Sequence, residues 1–310
     1  MILCCGEALI DMLQRKSEAG EAAFAPYVGG AVFNTAIALG RLGVATEFFS
    51  GISSDFFGKM LLDSLAANKV GTSYAHISPL PTTLAFVRLT DGQASYMFYD
   101  ENSAGRSLGI EHLPVLGDDV TALQFGAISL IPEPCGSTYE ALMGREHERR
   151  VTILDPNIRP GFIPDRQRHL QRMRRMIAMT DILKISDEDM RWFGESGTMD
   201  DIARRWIVPA GESGPKLILL THGAEGVTGY TSDLTIRVAA EKVPVVDTVG
   251  AGDTFTAGVV ASLEQSGLLT KNALTRLTDN QIRQALQLGV KAAAITVSRA
   301  GANPPWRSEL

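Results

Sequence analysis

The stretch Val243-Pro-Val-Val-Asp-Thr-Val-Gly-Ala-Gly-Asp-Thr-Phe-Thr-Ala-Gly258 runs from an apolar segment into small residues and then into a helical pattern. The apolar segment is expected to be a strand that leads into Gly250-Ala-Gly252, and Phe255, Val259 and Leu263 mark the buried side of the following helix, read as Thr254–Gln265. Small residues at a strand-to-helix turn leave the first backbone N–H groups of the helix bare, and with the positive end of the helix dipole they form an anion site. Asp253 opens the same helix. A carboxylate beside an anion cradle repels a phosphate, so it has no place in simple phosphate binding. It has one if it takes a proton from a hydroxyl that attacks phosphorus.

Two plainer readings compete. Gly250-Ala-Gly252 also looks like the start of a dinucleotide fingerprint, but Phe255 occupies its third small position and the stretch lies near the end of the chain. Asp253 also suits an ordinary first-turn or capping carboxylate. No Gly-x-x-x-x-Gly-Lys-Ser/Thr loop exists in the sequence, since Gly58-Lys59 is followed by Met60.

A second stretch, Tyr27-Val-Gly-Gly-Ala-Val-Phe-Asn-Thr-Ala-Ile-Ala-Leu-Gly-Arg-Leu-Gly43, places Gly29 and Gly30 just before a helix. They allow a ligand to approach the backbone, or serve only as a tight turn. Asn34, on the first helical turn, offers a donor and an acceptor. Upstream, Gly6-Glu-Ala-Leu-Ile-Asp11 puts an acid just past the first strand, at the edge where open α/β sheets bind ligands. An isolated Asp there also reads as a turn residue.

Short apolar runs alternate with amphipathic ones along the chain. Strands are expected at Ile2–Cys5, Glu47–Ser50, Leu84–Leu89, Ser95–Tyr99, Ala127–Leu130, Val151–Leu154, Ile182–Ile185 and Leu217–Leu220. Helices are expected at Ala31–Leu42, Asp55–Asn68, Glu133–Arg149, Arg166–Met179, Asp200–Ile207, Thr254–Gln265 and Asn280–Val297. The alternation predicts an α/β fold, a doubly wound, mainly parallel sheet with helices on both faces. Thr82–Tyr99 reads instead as a hairpin around Thr90-Asp-Gly-Gln93, and Asp11–Tyr27 as an extended segment without a helix. Together they make either a small β-flap or ordinary surface hairpins.

Composition excludes several classes. The 310 residues are 45% hydrophobic, and 29 Lys+Arg against 35 Asp+Glu give a net charge of −6, which offers no overall attraction to nucleic acid. The basic Arg166–Arg175 segment carries Leu170, Met173 and Ile177 at helical spacing, as a solvated helix with one buried face does. No window approaches the roughly 18 apolar residues of a membrane helix. Cys4, Cys5 and Cys135 are too few for a disulfide framework. A cytoplasmic protein with reduced thiols is the expectation, with neither nucleic acid nor membrane as a partner.

Taken together, these segments resemble the ribokinase-like, or phosphofructokinase-B, family of carbohydrate kinases, and most of all its bacterial fructokinases. Asp247-Thr-Val-Gly-Ala-Gly-Asp253-Thr-Phe and Gly29-Gly30-x-x-x-Asn34 carry the resemblance, with Gly6-Glu-Ala-Leu-Ile-Asp11, Asp155-Pro-Asn-x-Arg159 and Ser298-Arg-Ala-Gly-Ala-Asn-Pro-Pro305 in support. The resemblance implies one kinase domain over residues 1–310, with a β-lid from about 11–28 and 82–107. It implies ATP as co-substrate, Mg²⁺, and transfer to a primary hydroxyl of a small neutral sugar, fructose first. Asp253 would be the base, with Gly250, Ala251, Gly252 and Asp253 forming the anion hole. Asp11, Gly29, Gly30, Asn34, Arg159 and Asp253 would bind the sugar. Thr221, Gly223, Gly226 and Gly252 would face the nucleotide. Asp247 and Val249 fall where some members bind K⁺.

Two departures stand out. Where many members carry Asn-x-x-Glu beside magnesium, this chain has Ser186-Asp-Glu-Asp189, which leaves Asp189 as the metal candidate and Asp187 and Glu188 as a solvated helix start. Where 2-keto-3-deoxygluconate kinases often carry Tyr-Arg, it has Tyr99-Asp100, and an acid there disfavours a sugar-acid carboxylate. Arg159 keeps that sugar acid as an alternative substrate, beside other sugars or nucleosides. A non-catalytic sugar sensor is the alternative outside enzymes. An exposed lid edge would pair two copies into a homodimer.

Overall fold

A computed structural model describes residues 1–90 and 93–310, with 88–90 and 93–96 followed through their backbone alone. The expected Asp91-Gly92 turn lies outside the described residues. The first strands in chain order are β1 (Ile2–Cys5), β2 (Leu9–Lys16), β3 (Ala22–Gly29), β4 (Thr46–Phe49), β5 (Gly51–Ser53), β6 (Val70–Gly71) and β7 (His76–Ser78). There follow β8 (Leu84–Thr90), β9 (Gln93–Tyr99), β10 (Ala122–Gly126), β11 (Val151–Asp155), β12 (Ile182–Ser186), β13 (Leu217–Thr221), β14 (Val227–Tyr230) and β15 (Thr235–Val238). The helices are α1 (Ala31–Arg41), α2 (Phe56–Ala67), α3 (Cys135–Glu146), α4 (Arg166–Ala178), α5 (Asp187–Trp192), α6 (Met199–Trp206), α7 (Ala251–Gln265), α8 (Lys271–Leu274) and α9 (Asp279–Val297).

The central sheet has the order β15-β14-β13-β12-β11-β10-β1-β4-β6. It is parallel from β6 to β13 and ends in an antiparallel hairpin, β14-β15. Strand alternation divides its residues between two cores. Ile2 and Cys4 join Phe33, Phe255, Val259 and Leu286 on the face covered by α1, α7 and α9, whereas Leu3 and Cys5 join Tyr139, Met173 and Ile202 under α3, α4 and α6. This is the doubly wound arrangement expected. A second sheet, β3-β2-β8-β9, is the hairpin β2-β3 joined to the hairpin β8-β9 by the parallel pair β2-β8.

The chain winds outward from β1 through β4 to β6, then returns to lay β10 on the other side of β1 and proceeds to β13. The order therefore reverses between β1 and β10, and the crevice beyond their carboxyl ends is where such sheets bind ligands. Local chemistry fixes the surrounding helices. Asp55 caps α2 by accepting from Gly58 N at 2.7 Å and also holds Thr82 at the entry to β8. Thr278 and Gln281 close a reciprocal capping box at α9. Helix α7 lies unusually close to α9, because a Cβ on Gly258 would come within 2.7 Å of Gly289 Cα.

Two expected strands are corrected. Residues 127–130 form a 3₁₀ turn, and the strand lies just before them at Ala122–Gly126. Polar Gln124 interrupts the apolar run and disguises the strand, although it is buried in it. The segment before Gly250 is not a strand either. Val245, Val246 and Val249 are exposed, and Val246 N and Asp247 N both reach the Val297 carbonyl, so the apolar residues line an irregular loop tied to the end of α9. The hairpin β14-β15 was not expected from the sequence.

Candidate active site

The carboxyl ends of the parallel strands deliver the polar residues. In register across the sheet, Gly126 pairs with Asp155 and Ser186 with Thr221. Glu7, just past β1, bridges the reversal point. Its carboxylate accepts from Ala31 N at 2.7 Å, the first amide of α1, and from Ser129 N at 3.3 Å beyond β10. It thus caps α1, whose own N-cap position is Gly30. Gly30 has φ 115°, and a Cβ there would lie 2.7 Å from the Glu7 carbonyl. A Cβ on Gly29 would lie 2.3 Å from Asp11 Oδ2. Gly30 is therefore required by its left-handed backbone against the Glu7 carbonyl, Gly29 packs against the Asp11 carboxylate, and Asp11 sits within β2 rather than in a turn. Burial pushes the Asp11 carboxyl up to about 6.

From the opposite side, α7 presents its amino end. Gly250 takes the left-handed conformation, φ 76°, and is the N-cap. The amides of Gly252 and Asp253 are among those that a helix start cannot satisfy internally. Ala251 N reaches the Thr248 carbonyl at 3.3 Å, so it is the weaker member of the expected anion hole. Asp253 is 7% exposed, and its Oδ2 accepts from Asn34 Nδ2 at 2.9 Å. Residues 219 positions apart are thus brought together by the packing of α1 on α7.

Burial pushes the Asp253 carboxyl up to about 7, aided by the nearby carboxylates of Asp155 and Glu7 and opposed by the Asn34 amide and Lys184. A carboxylate poised near neutrality is what a general base requires. A base at Asp253 would act in its ionised form, so kcat/KM is expected to rise about tenfold per pH unit below 7 and to level off above it. Asn34 donates to the ionised form, so Asn34→Ala is expected to move that inflection to higher pH and to lower kcat/KM at pH 7. A pH–rate profile on both proteins checks this, and an inflection that stays in place would remove Asn34 as a tuning residue.

The other expected residues lie in four places. Thr221 ends β13, and the Gly223–Gly226 turn follows it, with His222 N donating to the Gly226 carbonyl at 2.8 Å. Asp247 accepts from Val249 N at 3.0 Å and Gly301 N at 2.9 Å, which fastens the loop before α7 to the loop after α9. Arg159 is exposed and donates to its neighbour's carbonyl, Ile158 O, so it is not drawn to Asp253 with the rest. Asp189 is buried; one oxygen accepts from Ile158 N at 2.9 Å, and its own amide donates to Ser186 Oγ. Asp187 pairs with Arg191 at 2.6 Å as a helix-surface pair.

Sequence reasoning passed over Glu7, Asp155 and Lys184, although Glu7 and Asp155 lie in motifs it quoted. Lys184 had its own signal, a charge inside an otherwise apolar parallel strand. A cavity of about 230 Å³ also opens beside Glu7, with Thr83, Asp100, Arg106, Ser129 and Phe162 among its walls. Asp100 pairs with Arg106 at 3.1 Å there.

Comparison with known proteins gives this geometry its family. The profile of the pfkB family carbohydrate kinases matches residues 1–309. A fructokinase of Rhizobium leguminosarum bv. trifolii is 57% identical over 283 residues, 91% of this chain and 86% of that protein. Probable fructokinase-6, chloroplastic, of Arabidopsis thaliana is 35% identical over 98% of this chain and 79% of its own length. The crystal structure of fructokinase with bound ATP from Xylella fastidiosa superposes with a TM-score of 0.87 at 29% identity, covering 97% of this chain and 93% of that one. With its residues 1–309 matched and its helix-tip aspartate in place, the chain belongs to the PfkB family of carbohydrate kinases and is an ATP-dependent sugar kinase.

Proposed function

We propose that this kinase is a fructokinase that moves the γ-phosphoryl group of ATP to a primary hydroxyl of fructose. The observation that carries the reading is Asp253, which lies at the bare tip of α7 and is held by Asn34 from the other wall of the crevice. Asp11, Gly30 and Asn34 orient the sugar hydroxyls. Asp253 takes the proton of the attacking hydroxyl as its oxygen bonds to phosphorus and ADP departs, and the proton then passes to solvent. The Gly252 and Asp253 amides, with those of Gly250 and Ala251 behind them, stabilise the charge that gathers on the transferred group. Thr221, Gly223, Gly226 and Gly252 face the nucleotide, and Arg159 stands at the rim of the sugar site. The second sheet serves as a lid within one catalytic unit spanning residues 1–310.

The residues present suit Mg²⁺ in a hydrated form. Ser186 and Asp189 each have one hydrogen bond into the fold, and Asp189 keeps a second oxygen for an ion's water shell. Bound there with the nucleotide, Mg²⁺ would neutralise phosphate charge. Asp247 and the Val249 backbone would hold K⁺ where the two loops meet. Phe24, Met97 and Tyr99 are each 47–59% exposed on one face of the second sheet, whose outermost strands among the described residues are β3 and β9. That surface fits a homodimer joined through the lids, checked by light scattering at twice the chain mass. The buried free thiols Cys4, Cys5 and Cys135 suit the cytoplasm, and no helix among the described residues is long and apolar enough to cross a membrane.

Fructose is favoured over a sugar acid because the end of the lid hairpin carries the acid Asp100, which already engages Arg106 at 3.1 Å. An ADP-coupled panel of fructose, 2-keto-3-deoxygluconate, ribose and a nucleoside is expected to give fructose the highest kcat/KM, by roughly 10²-fold or more. Preference for the sugar acid would replace the substrate assignment. Sugar binding without ADP release from any of the four would favour a sensor.

A further inference from the structure

The parallel strand β12 carries one charge into the core. Lys184 is 6% exposed, and its Nζ lies 2.9 Å from Asp155 Oδ2 and 3.2 Å from Oδ1. Both carboxylate oxygens of the buried Asp155 thus hold the ammonium in an ion pair inside the core. The same ammonium is 3.0 Å from the place a Cβ on Gly252 would occupy. Lys184 therefore stands directly behind the tip of α7, and a side chain at residue 252 would crowd it.

The charges around that tip do not balance. Asp155 and Asp253 are buried and Glu7 is half-buried; Asp155 and Glu7 both act on Asp253, and Asp189 lies within reach of Asp155 and Lys184. Lys184 is the buried ammonium among them, and Arg159, which acts on Asp155, is exposed. An incoming triphosphate meets this acid cluster with a helix dipole and one fixed cation in its favour.

We propose that Lys184, anchored by Asp155, is an electrostatic positioning residue for phosphoryl transfer, supplying from behind Gly252 the fixed positive charge that lets the α7 tip accept a phosphoryl group beside Asp253. Asp155 has the complementary part of pinning the ammonium so that it does not close directly on Asp253. Such an ion pair is a poor stabiliser of a fold, since its desolvation offsets most of its attraction and a neutral pair of similar volume is commonly tolerated. Its placement at the tip is accounted for by the field it projects. This inference rests on the reading of the α7 tip as the phosphoryl site.

The test uses Lys184→Met/Asp155→Asn, which removes the pair without leaving either charge alone, and Asp155→Asn, which keeps the ammonium but loosens it. Thermal melts, fructose affinity by calorimetry, and kcat and KM for ATP and fructose are measured on the full chain. The double variant is expected to melt within a few degrees of the parent and to bind fructose within threefold, with kcat lowered roughly 10²-fold. Asp155→Asn is expected to lower kcat roughly tenfold with the same fructose affinity. Loss confined to KM, or kcat within threefold of the parent in both variants, would overturn the proposal. If the double variant does not fold, Asp155→Asn decides alone, and kcat within threefold overturns the proposal. Asp253→Asn is run beside them. If it retains turnover, the phosphoryl-site reading itself fails; if it is inactive while both pair variants turn over normally, only the role of Lys184 fails.

Discussion

Asp253→Asn is expected to lower kcat by about 10³-fold, within the range for a positioned base and its share of the anion site, without weakening the fold. Asparagine fills the same space and can still accept from the Asn34 amide, but it cannot take a proton from the sugar hydroxyl. The expectation about stability follows from the sign of the carboxyl's shift. The native state holds Asp253 at about 7 against an ordinary value of 3.8, so it binds the proton more tightly than the unfolded chain does. Asp253's contribution to stability is therefore fully present below about 4 and is lost as pH rises through about 7, where a charge must remain buried. Asparagine carries no such charge. The variant is expected to match or exceed the parent's melting temperature at pH 8 and to lose that advantage at pH 5. A coupled ADP assay, calorimetry with fructose and melts at the two pH values measure all three effects. Turnover within tenfold of the parent would end the assignment of Asp253 as the base.

The sequence made Asp253, Asn34 and the Gly29-Gly30 turn legible because their chemistry is local. Each is a residue type at a helix start, where backbone donors are bare whatever the rest of the chain does. That Asn34 donates to Asp253 is not local; it depends on α1 packing against α7 across the first core, and the resemblance to a family placed both at the sugar without joining them. The long parallel strands were legible for a similar reason, since runs such as Leu217–Leu220 are apolar on both faces. Strand β10 was misplaced because Gln124 sits in the middle of it. The apolar residues before Gly250 misled in the opposite direction, because hydropathy does not distinguish a buried strand from an exposed loop fastened at its end by Val246 N and Asp247 N. The roles of Glu7 and Lys184 were hidden, even where the Lys184 charge itself showed, because their work is done through packing. A carboxylate that caps a neighbouring helix, or an ammonium behind a glycine, leaves no spacing to read.

Gly250→Ala is expected to have the second largest effect, lowering kcat by roughly 10²–10³-fold, as does loss of an anion-hole donor. Two physical consequences combine at this position. The backbone at φ 76° costs an alanine about 1–2 kcal/mol in the left-handed region, and the new methyl would lie 2.7 Å from Ala302 Cβ. The loop that carries Ala302 is fastened to the same turn through Asp247 and Gly301 N, so it has little freedom to retreat. The helix tip must shift instead, taking the Gly252 and Asp253 amides out of line with a transferring phosphoryl group. Strain and displacement are separated by Gly267→Ala, because Gly267 has φ 68° at the other end of the same helix, with nothing within 4 Å of a new Cβ. Both variants are expected to lose similar stability from the backbone conformation, with Gly250→Ala losing more from the clash, while only Gly250→Ala loses turnover. Fructose affinity is expected to hold in Gly267→Ala and to fall less than kcat in Gly250→Ala, whose new methyl lies 3.9 Å from Asn34 Nδ2, the partner of Asp253. Equal kcat in the two variants would mean that the geometry of the α7 tip does not control the reaction.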